Sequence, residues 1–392
     1  MSPRIETSIP SPDRSNTQIE TPAIQVGAEQ IHRYLPLIEG KTLALVVNQT
    51  SMVGETHLVD TLQSLSQDLK CIFAPEHGFR DMAADGEVIK DGRDVRSGLP
   101  IISLYGQKKA PTAEDLAGVD LILFDIQDVG ARFYTYISSL HYVMRAAAQQ
   151  GVEVLVLDRP NPNGHIVDGP ILDTTFTSFV GVHRVPVCHG MTVGEYALMV
   201  NGEGWLQDGL KADLEVITNA HYSHDRPYVL PVPPSPNLPN QRAIYLYPSL
   251  CFFEGTLASI GRGTNMQFQV IGHPDYPETN SEISFTPTPG PGSRYPKLEG
   301  KLCFGLDFRR YSADSLSTLG FDRINLQSLI DFMTTVGPKG FIDRTSHFDR
   351  LAGSDQLRQQ LESGVSEAVI RASWQEGLER FRAIRERYLL YP

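Results

Sequence analysis

The sequence lacks any apolar run that could cross a membrane. Runs such as Leu121 to Phe124 and Val154 to Leu157 fall far short of the roughly 20 residues that a membrane-spanning helix needs. It also lacks the basic start and apolar stretch of a signal peptide. We therefore expect neither a transmembrane segment nor a signal peptide in this chain.

Cysteine is scarce and scattered. The four cysteines, Cys71, Cys188, Cys251 and Cys303, form no CxxC pair and show no Cys/His spacing of a structural zinc site. Cys71 and Cys188 lie inside apolar runs that suggest strands. We expect buried free thiols that act as small apolar side chains, rather than disulfides or a nucleophile.

Positive charge is in deficit. Against 46 aspartates and glutamates stand only 34 lysines and arginines, which gives a net charge of −12 at pH 7. Because an acidic protein repels polyanions, nucleic acid is not expected as a partner.

The familiar motifs of nucleotide and hydrolase sites are missing. Neither GxGxxG nor GxxxxGK[ST] follows the first strand, so no nucleotide cofactor is expected. GxSxG and HExxH are also absent, which weakens the case for a serine hydrolase or a zinc peptidase. The polar residues that remain are carboxylates, amides, aromatic rings and arginines, the usual lining of a carbohydrate site.

The chain divides into a tail and two α/β domains. At about 150 residues per domain, 392 residues suffice for two. Residues 1–23 are rich in Ser, Thr, Pro and Asn, which is typical of a disordered lead-in. The proline-dense passage Pro227 to Pro239 is typical of a crossing between domains. We therefore predict an N-terminal domain over 24–232 and a smaller C-terminal domain over 233–392.

Short β-branched runs alternate with helical stretches in the N-terminal part, which predicts a parallel sheet covered by helices on both faces. The predicted strands are Leu43 to Val47, Lys70 to Phe73, Ile101 to Leu104, Leu121 to Phe124, Val154 to Leu157 and Val185 to Cys188. The predicted helices are Ile137 to Gln150, one opened by a capping box at Thr192 and Glu195, Leu326 to Val336 and Ser366 to Tyr388.

Polar clusters follow almost every predicted strand. In parallel sheets, ligands bind beyond the carboxyl ends of the strands, so these clusters predict an enzyme or a polar-ligand binder. The clusters contain Asn48 and Gln49, then Glu76, His77 and Arg80, then Asp125, Asp128, Arg132, Tyr134 and Tyr136, then Arg159, and finally His189.

Glu76 is the first candidate for a general acid in glycoside cleavage. A carboxyl between Pro75 and a His-Gly-Phe turn can be partly desolvated and kept protonated. The alternative is a structural salt bridge from Glu76 to Arg80 or Arg132. Asp125 and Asp128 could supply a second carboxylate, or could simply cap a loop.

The two histidines leave a further alternative open. His77 and His189 suit a proton relay, and together with Glu76 and Asp125 they could hold one metal ion. No recognised ligand spacing accompanies them, so we expect no metal. Tyr134 and Tyr136 could stack on a sugar or pack the first helical turn.

Several ordered motifs resemble one known family. They include Phe73-Ala-Pro-Glu-His-Gly-Phe-Arg80, Phe124-Asp-Ile-Gln-Asp-Val-Gly-Ala-Arg-Phe-Tyr-Thr-Tyr136, Leu157-Asp-Arg-Pro-Asn-Pro162, Pro234-Ser-Pro-Asn237, Glu254-Gly-Thr256 and Gly261-Arg-Gly-Thr264. On these residues the chain is similar to the NamZ family of exo-β-N-acetylmuramidases, from about Thr42 to Tyr391. One departure is Asn265 to Gln269, where the family pattern suggests a Pro-Phe-Glu-like continuation.

The resemblance implies a Rossmann-like catalytic domain, an auxiliary C-terminal domain and a cleft between them. The implied activity releases N-acetylmuramic acid (MurNAc) from the non-reducing end of peptidoglycan-derived glycans of the MurNAc-GlcNAc type, in cell-wall turnover. It also implies export to the periplasm or outside the cell. The candidate catalytic residues are Glu76, His77, Asp125 and Asp128. The candidate substrate-binding residues are Asn48, Gln49, Arg80, Arg132, Tyr134, Tyr136, Arg159, His189, Asn237, Glu254 and Arg262.

MurNAc carries a lactyl carboxylate, which an acidic protein must meet with a local cation. Arg132 and Arg262 are the candidates that we favour for this contact. Two other classes stay open at this point: a non-catalytic receptor for sugars or muropeptides, and a metal-dependent hydrolase.

Overall fold

The computed structural model describes residues 22–76, 78–80, 91–290 and 292–392. The strands are β1 Thr42–Val47, β2 Met52–Val53, β3 Thr56–His57, β4 Asp68–Ala74, β5 Gly92–Arg93, β6 Pro100–Ser103, β7 Leu121–Asp125, β8 Glu153–Leu157, β9 Val167–Asp168, β10 Cys188–His189, β11 Leu214–Ile217, β12 Val270–His273, β13 Ile283–Phe285 and β14 Cys303–Asp307. The α-helices are α1 Ile31–Ile38, α2 Leu58–Ser64, α3 Ala113–Leu116, α4 Tyr136–Gln150, α5 Val193–Gly202, α6 Gln241–Leu250, α7 Ala313–Leu316, α8 Leu326–Val336, α9 Thr345–Ala352, α10 Gln356–Glu362 and α11 Glu367–Arg385.

A seven-stranded sheet organises the N-terminal part, in the order β11-β8-β7-β1-β4-β6-β5. Its strands pair in parallel except β5, which runs antiparallel to β6 at one edge. Every residue of β7 is buried, as is all of β1 except Thr42. Strands covered on both faces need continuous apolar runs, so the α/β prediction and its first five strands are confirmed.

The prediction of the sixth strand was wrong. Of the run Val185 to Cys188, only Cys188 is in a strand, and that strand pairs with β9 outside the central sheet. The sheet is extended instead by β11, which pairs in parallel with β8. Both runs are apolar, and composition alone does not say which one reaches the sheet edge.

The main helix predictions are confirmed. Helix α4 ends at Gly151, which adopts φ 68°, the left-handed conformation that glycine tolerates best. Thr192 caps α5 through a reciprocal capping box with Glu195, and α8 spans the predicted residues. No helix in the described part of the chain is long and apolar enough to cross a membrane.

The C-terminal part shares a core with one face of the sheet. One apolar cluster joins Phe124 of β7 and Leu140 of α4 to Phe252, Phe348 of α9 and Trp374 of α11. The opposite face of the sheet is covered by α1 and α2, through Tyr34 and Leu62. The C-terminal part also holds a small sheet in the order β12-β14-β13. The domain limits 24–232 and 233–392 stay a prediction, and the lead-in lies outside the described residues apart from 22–23.

Candidate active site

A cavity of about 230 Å³ lies between the carboxyl ends of the sheet strands and the C-terminal part. A volume of this size suits one sugar residue rather than an extended chain. Its lining comes from both parts of the chain: Glu76, Tyr105, Phe133, Tyr134, Thr135, Tyr136, Phe179, Val180, Ser235, Asn237, Leu238, Tyr247, Cys251, Glu254, Arg262, Phe268, His347 and Leu351. Six predicted site residues are therefore brought together here: Glu76, Tyr134, Tyr136, Asn237, Glu254 and Arg262.

Glu76 lies just beyond the end of β4 and is half-buried in the cavity wall. The hydroxyl of Thr135 donates a hydrogen bond of 2.6 Å to Glu76 Oε2. The hydroxyl of Tyr136 lies 3.4 Å from the Glu76 backbone oxygen. Both contacts come from the loop and helix start that follow β7, so the ends of β4 and β7, the two strands that flank β1, fix this carboxylate.

Aromatic rings form much of the cavity lining. Tyr134 lies edge-on to Tyr136 and Tyr247, with centroids 4.9 and 5.8 Å apart, and Tyr247 lies 5.0 Å from Phe268. Burial raises the pKa of Tyr134, Tyr136 and Tyr247, so these hydroxyls stay neutral. Such rings present apolar surface to the face of a sugar and few competing charges.

A charged cluster from the C-terminal part forms another section of the wall. Arg262 makes an ion pair with Glu254, and His347 Nε2 lies 3.9 Å from Glu254 Oε2. Burial opposes ionisation of Glu254, but Arg262 and His347 outweigh it and lower its pKa to about 2. The cavity therefore holds a second carboxylate that stays ionised.

Asn237 offers an unused acceptor. Its Nδ2 donates to the backbone oxygen of Gly292 at 2.8 Å, whereas its buried Oδ1 has no hydrogen-bond partner in the described structure. A buried polar atom without a partner is costly, and an N–H or O–H group of a ligand would satisfy it.

Two of the predicted catalytic carboxylates lie away from the cavity lining. Asp125 is fully buried and forms a bidentate ion pair with Arg159, at 2.6 and 2.9 Å. Asp128 is also buried, and its Oδ1 accepts the backbone N–H of Gly130 at 2.7 Å. Burial raises the pKa of Asp128 to about 7. These contacts give Asp125, Asp128 and Arg159 internal partners in place of the expected substrate.

Arg80 and Arg132 also have their partners within the protein. Arg80 binds Asp60 and Asp94, and Arg132 donates to the backbone oxygens of Pro170, Val185 and Leu351. The proposed salt bridge from Glu76 to either arginine is thus replaced by the Thr135 hydroxyl. Arg132, with no exposed surface, is also removed from the list of groups that could touch a lactyl carboxylate.

Three further predicted binding residues are buried beside the cavity or beneath it. Asn48 Oδ1 accepts from the Thr50 backbone N–H at 2.9 Å, and Gln49 donates to the backbone oxygen of Pro234 at 3.1 Å. His189 is buried within the packed chain, which lowers its pKa to about 3. They shape the loops around the cavity rather than line it.

His77 lies outside the described residues. Among those described, no group of three or more His, Cys, Asp or Glu side chains could hold a metal ion. Asp125 is paired with Arg159, and His189 lies outside the cavity lining, so the metal alternative loses those two ligands. All four cysteines are buried thiols outside any disulfide, as expected.

Sequence reasoning missed several lining residues. Thr135 lies in the motif from Phe124 to Tyr136, between Tyr134 and Tyr136. Its position between two predicted site residues was the sequence signal that could have identified it. Phe179, Tyr247 and His347 lie in stretches with no motif, and only the fold brings them to the cavity. Phe268 belongs to the segment Asn265 to Gln269 that departs from the family pattern, so this segment does contribute to the lining.

Comparisons with known proteins agree along almost the whole chain. Two family models match, described as the N-terminal and C-terminal parts of the exo-β-N-acetylmuramidase NamZ, over residues 43–242 and 245–391. A relative from Bacillus subtilis, named peptidoglycan β-N-acetylmuramidase NamZ, is 35% identical over 97% of this chain and 94% of its own.

Two crystal structures of DUF1343 family proteins from Bacteroides fragilis are also similar. One has a TM-score of 0.86 and 44% identity, and the other has a TM-score of 0.79 and 26% identity. Each comparison covers 94% of this chain and 99% of the other.

Proposed function

This chain belongs to the NamZ family of exo-β-N-acetylmuramidases, and we propose that it hydrolyses the β-glycosidic bond of MurNAc at the non-reducing end of peptidoglycan fragments. The Bacillus subtilis relative, which carries that activity in its name, supports the proposal. The observation that carries it is Glu76, a carboxylate fixed by Thr135 in the wall of a cavity of single-sugar size.

Glu76 supplies the proton for bond cleavage. The bond between C1 of MurNAc and the glycosidic oxygen breaks, and Glu76 gives its proton to that oxygen as the leaving sugar departs. Water then supplies a hydroxyl to C1, and its remaining proton replaces the one lost from the protein. Because Thr135 occupies Oε2, Oε1 is the oxygen that carries the transferable proton.

The other lining groups hold the sugar in place. Asn237 Oδ1 accepts an N–H or O–H of the sugar, such as that of the acetamido group. The edge-packed rings around Tyr247 cover an apolar part of the sugar. Glu254, rather than Asp125 or Asp128, is the second carboxylate of the cavity, and its ionised form stabilises positive charge that develops near C1.

The role of Glu76 is tested by comparing two leaving groups. Glu76→Gln should lower kcat/KM for a MurNAc-GlcNAc disaccharide by about a hundredfold or more, as general acid catalysis requires. The same variant should lose much less activity on a p-nitrophenyl β-muramoside, because that leaving group departs without a proton. Product release is followed by chromatography for the first substrate and by absorbance for the second.

Glu114→Gln provides the matched control, since Glu114 is an exposed residue of α3. It should keep the wild-type rate on both substrates. Full activity of Glu76→Gln on the disaccharide, or equal losses on both substrates, would contradict the role as general acid. Saturable binding without turnover by the wild-type protein would instead favour a receptor.

A chelator addresses the metal-dependent alternative. Activity that survives prolonged treatment with EDTA would exclude it, whereas loss of activity and return with a divalent ion would support it. Export to the periplasm or outside the cell is part of the proposal, and fractionation of cells with an antibody to the protein tests it.

A further inference from the structure

The sugar proposed above is an anion, and the predicted arginines are already occupied. Arg80, Arg159 and Arg262 each form an ion pair with carboxylates of the protein, and Arg132 donates to three backbone oxygens. Arg262 is the one of these that lines the cavity, and Glu254 already neutralises it. A carboxylate on the substrate therefore needs another cation.

Lys109 is a cation beside the cavity that has no hydrogen bond or ion pair within the described structure. Its Nζ lies 4.0 Å from the ring centroid of Phe179, which lines the cavity. Burial lowers the pKa of Lys109, and the Glu76 carboxylate opposes this effect. The contact with Phe179 places the ammonium group beside the wall of the cavity.

The Phe179 ring that Lys109 contacts is itself held by its neighbours. Phe179 stands in a tight turn whose ends, Ser178 and Gly181, exchange two backbone hydrogen bonds of 3.0 Å. The ring of Tyr142, from α4, stacks on Phe179 with centroids 6.1 Å apart and an angle of 17° between the planes. The ring that the ammonium group contacts is thus held at a defined place beside the cavity.

A cation–π contact compensates only part of what the ammonium loses on burial. Such contacts are worth about 0.5–1 kcal/mol at exposed sites, while a partly buried charge is stabilised far more by an opposite charge. An anion at the mouth of the cavity would supply that missing partner.

We propose that Lys109 binds a carboxylate of the substrate and thereby selects MurNAc over N-acetylglucosamine. The carboxylate is that of the lactyl group or, where a stem peptide is attached, that of the peptide. This inference rests on the proposed function, because it assigns a residue to the sugar that the proposed reaction releases.

The test measures binding of free sugars by calorimetry, so it does not depend on turnover. Wild-type protein should bind MurNAc more tightly than N-acetylglucosamine. Lys109→Met, which keeps the length of the side chain, should weaken MurNAc binding by about tenfold or more and leave N-acetylglucosamine binding unchanged. Lys109→Arg should retain most of the preference, because arginine keeps both the charge and the ring contact.

Lys108→Met is the matched control, since Lys108 is the adjacent residue and pairs with Asp115 at 2.7 Å. It should bind both sugars as the wild type does. Equal weakening of both sugars by Lys109→Met would overturn the inference, because it would indicate a structural effect. Unchanged binding of both MurNAc and its L-alanine conjugate would overturn it as well.

A third ligand separates the two sources of the carboxylate. In MurNAc-L-alanine, the lactyl carboxylate is an amide and the free carboxylate belongs to alanine. If Lys109 binds the lactyl group, Lys109→Met should affect MurNAc only; if it binds the peptide, it should affect MurNAc-L-alanine only. Absence of hydrolysis by the wild type would refute the proposed function, yet the binding measurement would still decide the role of Lys109.

Discussion

A single hydroxyl group orients the carboxylate of Glu76. Thr135 donates to Oε2 over 2.6 Å, which holds the carboxyl group in one orientation. Thr135 also precedes the first residue of α4, so its position is set by the start of that helix. It acts through Glu76 and is a positioning residue.

Replacing that hydroxyl should lower the rate without weakening substrate binding. Thr135→Val removes the donor at nearly constant volume and should lower kcat on the disaccharide about tenfold, with little change in KM, because Glu76 loses the hydrogen bond that orients it. Steady-state kinetics over a range of substrate concentrations separate kcat from KM.

Thr135→Ser restores the hydroxyl and should restore most of the rate. If the valine variant had only disturbed packing, the serine variant would be at least as slow. That outcome would refute a positioning role for the hydroxyl.

The loop between β7 and α4 carries Tyr134 and Thr135, and it depends on one glycine. Gly130 adopts φ 76°, and a Cβ there would collide with the side chain of Asn161. Asn161 cannot move aside easily, because its Nδ2 donates to Met191 O at 2.9 Å and its Oδ1 accepts from Asn163 N at 2.8 Å. Gly130 and Asn161 therefore restrict the backbone of this loop to one conformation.

Gly130→Ala should displace this loop. Left-handed backbone costs a non-glycine residue about 1–2 kcal/mol, and the overlap with Asn161 adds about 1–3 kcal/mol. We expect a fall of about 2–5 kcal/mol in the free energy of unfolding, measured by urea denaturation, and lower activity of the protein that remains folded.

Gly151→Ala separates the two contributions. Gly151 adopts φ 68° at the end of α4, and a Cβ there would have open space around it. This variant should lose only about 1–2 kcal/mol and keep its activity. Equal destabilisation of both variants would contradict the importance of the Asn161 contact.

Hydrogen bonds and an ion pair also connect the two halves of the chain. Arg132 Nη2, in the N-terminal half, donates to Leu351 O of α9 at 2.8 Å. Arg371 of α11 pairs with Asp168 at 2.9 Å, and Tyr391 donates to Asp158 at 2.6 Å. With a shared core, these contacts make one cooperative unfolding transition the expected behaviour.

Buried titratable groups act on this stability in opposite directions. Burial lowers the pKa of His141 to about 4 and that of His189 to about 3, so the folded state loses stability as pH falls below the unfolded value of about 6.5. Burial raises the pKa of Asp128 and Asp158 to about 7, so the folded state gains stability as pH falls from about 7 toward 4. The two effects partly cancel in the whole protein.

Replacing Asp128 should make the opposite effect of the buried histidines easier to measure. The folded wild type gains stability as pH falls because Asp128 takes up a proton, and Asp128→Asn lacks this gain. Its free energy of unfolding should therefore drop more steeply between about pH 7 and pH 4.5 than that of the wild type, by on the order of 1 kcal/mol. Urea denaturation at several pH values measures the difference.

Asp275→Asn is the control for this comparison, because the Asp275 carboxylate is 79% exposed. It should follow the pH dependence of the wild type. Parallel curves for Asp128→Asn and the wild type would mean that Asp128 titrates alike in the folded and unfolded states.

Much of this site was predictable from the sequence, and the reason is topological. Parallel strands bring their carboxyl ends to one edge, so Glu76 after β4 and Tyr134 after β7 had to lie near each other. Asp125 ends β7 and Arg159 follows the adjacent strand β8, yet they bind each other instead of lining the cavity. The order of residues does not say whether two opposite charges at adjacent strand ends pair or face a ligand.

The residues from the C-terminal half were harder to predict. Glu254 and Arg262 were found through motifs, whereas His347 comes from α9, whose sequence shows an ordinary amphipathic helix. Its place in the cavity follows from the packing of Phe348 against Phe252, a long-range contact that no local pattern announces.

The hydrogen bond between Tyr391 and Asp158 can form only after nearly the whole chain has been synthesised. The two residues stand 233 positions apart, so a ribosome that adds about 5–20 residues per second needs on the order of 10–50 seconds to make the second after the first. Throughout that interval Asp158 lacks the hydroxyl that will cover it. The N-terminal sheet therefore lacks this contact until the later part of the chain has been made. A chaperone that shields the sheet would have its main effect during that interval.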